Sequence, residues 1–205
     1  MKNSTENTVA IGIGITLATA LLYTAGWSHA GHWFGRFHIG LIPLGLPMEY
    51  HFMYGLQVLL DHGWWLSMIF ASALLLWYSR PPTLLWARWL MLPLGVMLFA
   101  LVYRLGEMSA EQAFAEHRAA GFPEYPLTRV WLTEAPGDDP ALADLAKGLV
   151  AGEYRLLAES QTSLFLIKPK PGGEMPTVEV PLRRVVAVRR IPVNPGLMGS
   201  SKGKE

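Results

Sequence analysis

The sequence predicts an α-helical membrane bundle of three spans, or four in one of two topologies, followed by a small α+β domain outside the bilayer. Three observations predict it. The first half holds apolar runs that approach the roughly 20 residues needed to cross a bilayer. Charge is segregated: residues 1–107 carry five Lys/Arg and four Asp/Glu, and the remaining residues carry twelve of each. The second half turns to short β-branched and aromatic stretches bounded by Pro, Gly and Ser.

Composition excludes several classes of function. A net charge of +1 without a long basic stripe argues against nucleic-acid binding. The chain has no cysteine, which removes disulfides, thiolate catalysis and Cys-ligated zinc or iron–sulfur centres.

The first span is read at residues 8–27, "TVAIGIGITLATALLYTAGW". Its glycines and β-branched residues are tolerated in lipid, where backbone pairing is obligatory. Tyr23 and Trp27 suit the interfacial belt. A cleavable signal peptide is the rival reading, with Ser28-His29-Ala30 as its small-x-small site. The long apolar run and the single preceding Lys2 favour an anchor. The second span is read at 56–79 and stops at "SRPPT", where two prolines end a helix and Arg80 marks the interface. The third is read at 83–105. Pro93 and Gly95 are its expected kink, and Arg88 snorkels toward the same interface as Arg80.

Residues 39–60 are apolar but interrupted by Pro43, Pro47, Glu49 and His51. Either they form a fourth span, or the chain lies at the surface and a long helix starts near Met48. Segment 39–55 is accordingly re-entrant, interfacial or part of an extra span, since broken backbone at membrane depth must be covered. The two arginines at 80–88 place that loop in the cytoplasm and the C-terminal half on the other side of an inner or plasma membrane. The domains read as 1–107 in the membrane, 108–193 soluble, and 194–205 a disordered tail.

In the soluble part, Ser109 and Gln112 fit a capping box and Gly121 a helix stop, unless this helix continues the last span. Residues 127–133 read as a strand. A second helix follows, with Asp138 or Asp139 as cap, Pro140 in its first turn and Gly152 at its end. The stretches "EYRLLAES", "SLFLIKPK", "TVEVPL" and "RVVAVRRI" complete four to five short antiparallel strands, with a tight turn at Gln161-Thr162. Their spacing would also suit a small barrel.

Charge is polarised within this domain: residues 108–163 are net −5 and 164–205 net +5. The two halves complement one another as a solvated globule. The functional counterpart is a basic face of Lys168, Lys170, Arg183, Arg184, Arg189 and Arg190 touching headgroups, an acidic polymer or a partner protein. Adjacent arginines on a strand point to opposite faces, so at most half can share one surface.

Five of the six histidines fall between 29 and 62. As metal or haem ligands the candidates are His29, His32, His38 and His51. His29 and His32 have helical i, i+3 spacing, but Gly26, Gly31 and Gly35 weaken a helix there. Glu49 and His51 share a face of a strand, not of a helix. No HExxH motif is present, so a wet interfacial rim is the favoured reading. The third reading is a proton or substrate path through Glu49, His51, Asp61 and Arg88, because ionisable residues inside a membrane default to function. Were 39–60 to span, Glu49 and His51 would need a partner, and Arg36 and Arg88 are the available cations. No nucleophile elbow occurs, and "GIGIT" lacks the lysine of a phosphate-binding loop. His117 and Glu116 read as solvated.

The sequence therefore points first to a non-enzymatic membrane accessory, assembly or immunity-type subunit. It would bind a second copy or another membrane protein through its C-terminal domain, without nucleic acid and without a predicted cofactor. The alternatives are a metal- or haem-binding redox subunit using the histidines, and a proton-coupled transport component.

Overall fold

The computed structural model describes residues 2–78, 87–134, 138–169 and 175–191. The chain forms two compact units. One comprises residues 1–36 and 46–113, the other 37–45 and 114–205.

The first unit is helical. Helix α1 spans Lys2–Gly35, well past the expected end at Trp27. Gly26 and Gly31 do not break it. Helix α3 spans Met48–Tyr78, and its start follows Pro47. His62 has non-helical φ/ψ (−120°, 17°) and kinks it. Helix α4 spans Ala87–Ala120 with Pro93 inside. Ser109 is therefore interior to a helix and caps nothing.

Close backbone approach fixes the packing. A Cβ on Gly26 would overlap the carbonyl of His51, and one on Gly55 the carbonyl of Leu22. A Cβ on Gly106 would stand 2.6 Å from the Ala25 carbonyl oxygen and 2.8 Å from Ser28 Cβ. Around these contacts Ala25, Val58, Val102 and Leu105 form a buried cluster, flanked by Leu21 and Leu98. Large apolar side chains lie outside it: Ile11, Ile13, Met53, Leu60, Val96 and Met97 are all exposed. Ile11–Gly35 is the one helix among the described residues long and apolar enough to cross a membrane. Signal sequences and the core helices of soluble proteins share that length and composition. The expected second and third spans add no such segment among the described residues. The "SRPPT" stop, with Arg80, lies outside them, as do the side chains of residues 65–92.

The second unit is an open antiparallel sheet with one long helix. The short helix α2, Leu41–Leu44, ends on Gly45 in the left-handed region. Strand β1 is Leu127–Leu132 and helix α5 is Pro140–Ala151. Asp139 caps α5 by accepting from the Ala141 amide at 2.8 Å. Gly152 closes α5 at φ +81°, a conformation that favours glycine. Strands β2 (Tyr154–Glu159), β3 (Ser163–Ile167), β4 (Thr177–Pro181) and β5 (Val185–Ile191) follow. The order is β4-β3-β2-β1-β5. Val130, Leu149, Tyr154, Leu156, Leu164, Leu166 and Val180 make the core. Strand β3 is buried on both faces, with Phe165 and Ile167 opposite Leu164 and Leu166.

The barrel expectation is not met, because the edge strands β4 and β5 do not pair with each other. They are nevertheless consecutive in sequence, joined by a 3₁₀ turn at Leu182–Arg184. A flat five-stranded sheet holds its edges about 19 Å apart. Four residue steps reach at most about 14 Å even when extended. The sheet must curl for so short a link to join its edges. Leu182 N donates to Thr162 O and Thr133 N to Arg184 O, each at 2.8 Å, which stitches the link to both sides.

Two substitutions test these packings. Gly26→Leu is expected to separate α1 from α3 and shift a protease-protection pattern, whereas Gly63→Leu, with nothing within 4 Å, is tolerated. Leu166→Ala, fully buried, should cost roughly 2–5 kcal/mol in denaturant unfolding.

Candidate functional site

The polar residues of the first unit gather along α1, α3 and α4. Ser28 Oγ donates to the Tyr103 carbonyl at 2.6 Å. His32 Nδ1 lies 2.8 Å from the Ser28 carbonyl, so it is the protonated ring nitrogen in that bond. The other ring nitrogen, Nε2, is 3.7 Å from Glu107. Glu107 also pairs with Arg104, and Arg36 pairs with Glu111. Ser109, itself buried, donates to Asp61 Oδ2 at 2.6 Å. His29 is buried and stacks on Tyr54 with centroids 5.2 Å apart. His51 is buried between Tyr23 and Trp27, at 5.4 and 5.1 Å. Neither His29 Nδ1 nor His51 Nδ1 has a hydrogen-bond partner.

The four histidines considered as ligands thus face different neighbours. His29 and His32 share a helix, His51 packs on a separate aromatic pair, and His38 is an exposed left-handed residue (φ 58°) in the second unit. Among the described residues no group of three or more His, Cys, Asp or Glu could hold a metal ion. Glu49 sits exposed in the first turn of α3, where a carboxylate favours the positive helix end. Arg36 is engaged with Glu111. The Arg88 side chain lies outside the described residues. Asp61 is exposed near the middle of α3, beside the exposed Leu60 and Trp64.

The basic residues of the second unit are sorted by register. Lys168 pairs with Glu153 and stands 5.7 Å from the Tyr154 ring centroid. The hydrogen bond to Glu153 holds its ammonium above the ordinary lysine value, so the pair survives neutral pH and is lost only as pH climbs past that raised value. Arg190 pairs with Glu159. Arg189 lies across from Arg129 and Arg190 across from Thr128, which places the two on opposite faces as alternation requires. Arg183 and Arg184 are exposed on the 3₁₀ turn instead of a strand, because Pro181 ends β4. Lys170 lies outside the described residues.

Nothing matches this chain among protein-family models, curated proteins or solved structures.

Sequence reasoning missed Tyr54, Tyr103, Glu107, Arg129 and Arg155, and it gave Ser28 and Ser109 other roles. One signal was present: His32 near the end of α1 and Arg36 just past it are spaced by four, and so are Glu107 and Glu111 on α4. Those spacings align two cationic groups with two carboxylates.

Removing a hydroxyl should reveal which of these contacts matter. Ser109→Ala leaves Asp61 without its donor and is expected to cost about 1–3 kcal/mol in thermal denaturation. His38→Ala, at an exposed site, should stay within roughly 0.5 kcal/mol of the parent.

Proposed function

We propose that this chain is a small integral membrane protein acting as a non-enzymatic accessory or assembly subunit. It is held in the bilayer by α1, α3 and the first part of α4, and it binds a partner through the sheet unit. One observation carries the reading: small residues make the closest helix contacts, while many large apolar side chains stay outside the buried cluster. Gly26, Gly55, Gly106, Ala25 and Ser28 line its contacts, while large apolar side chains cover its exterior. Helices in lipid associate this way, because lipid gives large apolar residues no reason to hide. The hydroxyls of α1 support it too. Thr16, Thr19 and Thr24 each donate to the carbonyl four residues back, at 3.0, 2.9 and 2.8 Å, and so need no water.

With three crossings, Arg80 and Arg88 favour a cytoplasmic side for the end of the bundle that carries them, which would leave the sheet unit on the other side of an inner or plasma membrane. Asp61 supports a partner within the bilayer. An exposed carboxylate halfway along an apolar helix is expensive in lipid unless another chain covers it. A second copy or another membrane protein would do so. A proton-coupled role is the second reading, favoured by the unpaired ring nitrogens of the buried His29 and His51.

Fractionation and reporter fusions test the proposal together. The chain should stay with membranes through an alkaline carbonate wash. Reporters after residues 82 and 205 should lie on opposite sides. Asp61→Leu should disrupt a cross-linked complex that His38→Ala leaves intact. Recovery as a soluble monomer would end the membrane reading.

A further inference from the structure

The register of the sheet brings three arginines onto one face of three neighbouring strands. Arg155 of β2 lies across from Leu127 of β1, and Arg129 of β1 lies across from Arg189 of β5. Residues paired across antiparallel strands share a face, and so do next-but-one residues on a strand. Arg155, Arg129 and Arg189 therefore project to one side, Arg129 in the middle. The core residues Thr128, Val130 and Tyr154 project to the other.

Such an arrangement is costly by itself. Like charges directly opposite destabilise a strand pair, and Arg155 stands on the diagonal within reach of a long side chain. No carboxylate offsets them in the hydrogen bonds and ion pairs of the described residues. Glu153 is taken by Lys168, and Glu159 by Arg190 on the opposite face. The Arg129 Nε is buried and has no hydrogen-bond partner. Arg155 is fixed by one bond, Nη1 donating to the Tyr125 carbonyl at 2.6 Å, and burial pulls its guanidinium below the ordinary arginine value. Arg129 and Arg155 are half-buried and Arg189 is exposed, so the group has a floor and an open side. The stem of Arg129 lies against the helix cap: its Cγ is 3.0 Å from where a Cβ on Gly152 would be.

We propose that Arg129, Arg155 and Arg189 form a binding site for a phosphate group. Guanidinium forks match the oxygens of a phosphate in bidentate geometry, and a dianion is the charge that three adjacent cations lack. The phosphate can come from a free ion or from a lipid headgroup. The site requires only the sheet unit, so it stands apart from the membrane reading above.

The test uses the full chain in a neutral detergent, at constant ionic strength to hold screening fixed. Two probes are titrated calorimetrically, with ³¹P line width as a second readout: inorganic phosphate and monomeric dihexanoyl phosphatidic acid. One saturable site is expected, weakened about tenfold by Arg189→Gln and by Arg129→Gln. It should be unchanged by Arg184→Gln, which removes an exposed arginine on the 3₁₀ turn. Saturation by inorganic phosphate assigns the free ion, and saturation by the lipid probe alone assigns the headgroup. Arg189 is exposed, so its variant should keep the fold even if Arg129→Gln does not, and circular dichroism checks this. No saturable binding of either probe overturns the proposal and leaves Arg129 as a helix-end cation. Equal weakening by Arg184→Gln overturns it in favour of diffuse charge.

Discussion

The helical unit depends on backbones that touch. Gly26, Gly55 and Gly106 allow it, since any side chain at these positions would enter a neighbouring helix's carbonyls or side chains. Several polar contacts in that unit follow from the short distance. Ser28 reaches the Tyr103 carbonyl, and His32 reaches Glu107, because α1 and α4 approach at Gly106. The tight approach of α1 and α3 at Gly26 and Gly55 likewise presses His51 between Tyr23 and Trp27 and lays His29 on Tyr54. Dispersion between close backbones adds to the packing of Ala25, Val58, Val102 and Leu105 around them.

The sheet unit rests on a different balance. Its core is apolar and ordinary, with alternate residues of β1 and β2 facing Leu149 on α5. Its charges are arranged by register, and two of its cations meet a carboxylate: Lys168 meets Glu153 and Arg190 meets Glu159. The three arginines on the other face have no such carboxylate among the described residues, and that contrast makes them informative.

Local chemistry made much of this legible. Asp139, Pro140 and Gly152 bound α5 as their residue types dictate, and Ser160–Ser163 turns where the sequence breaks between two apolar stretches. Pro47 explains why α3 begins at Met48. Gly26 misled, because a glycine that weakens an isolated helix is retained where another helix leaves no room for a side chain. The sequence also could not assign a direction to Ser109. Capping was the local option, but a carboxylate 48 residues away offered a better partner. Convergence of the histidines was unreadable for the same reason: it depends on which side of each helix meets another. Arg129 and Arg155 carry no local signal at all, since strand register alone makes them neighbours.

The link between the last two strands has one more consequence. The segment Leu182–Arg184 works as a drawstring, tied at Thr162 on one side and at Thr133 on the other. Its length sets the radius of the sheet, and so the spacing of every group the sheet displays. Lengthening it by even a few residues would let the sheet flatten and fan the arginines apart without touching the core.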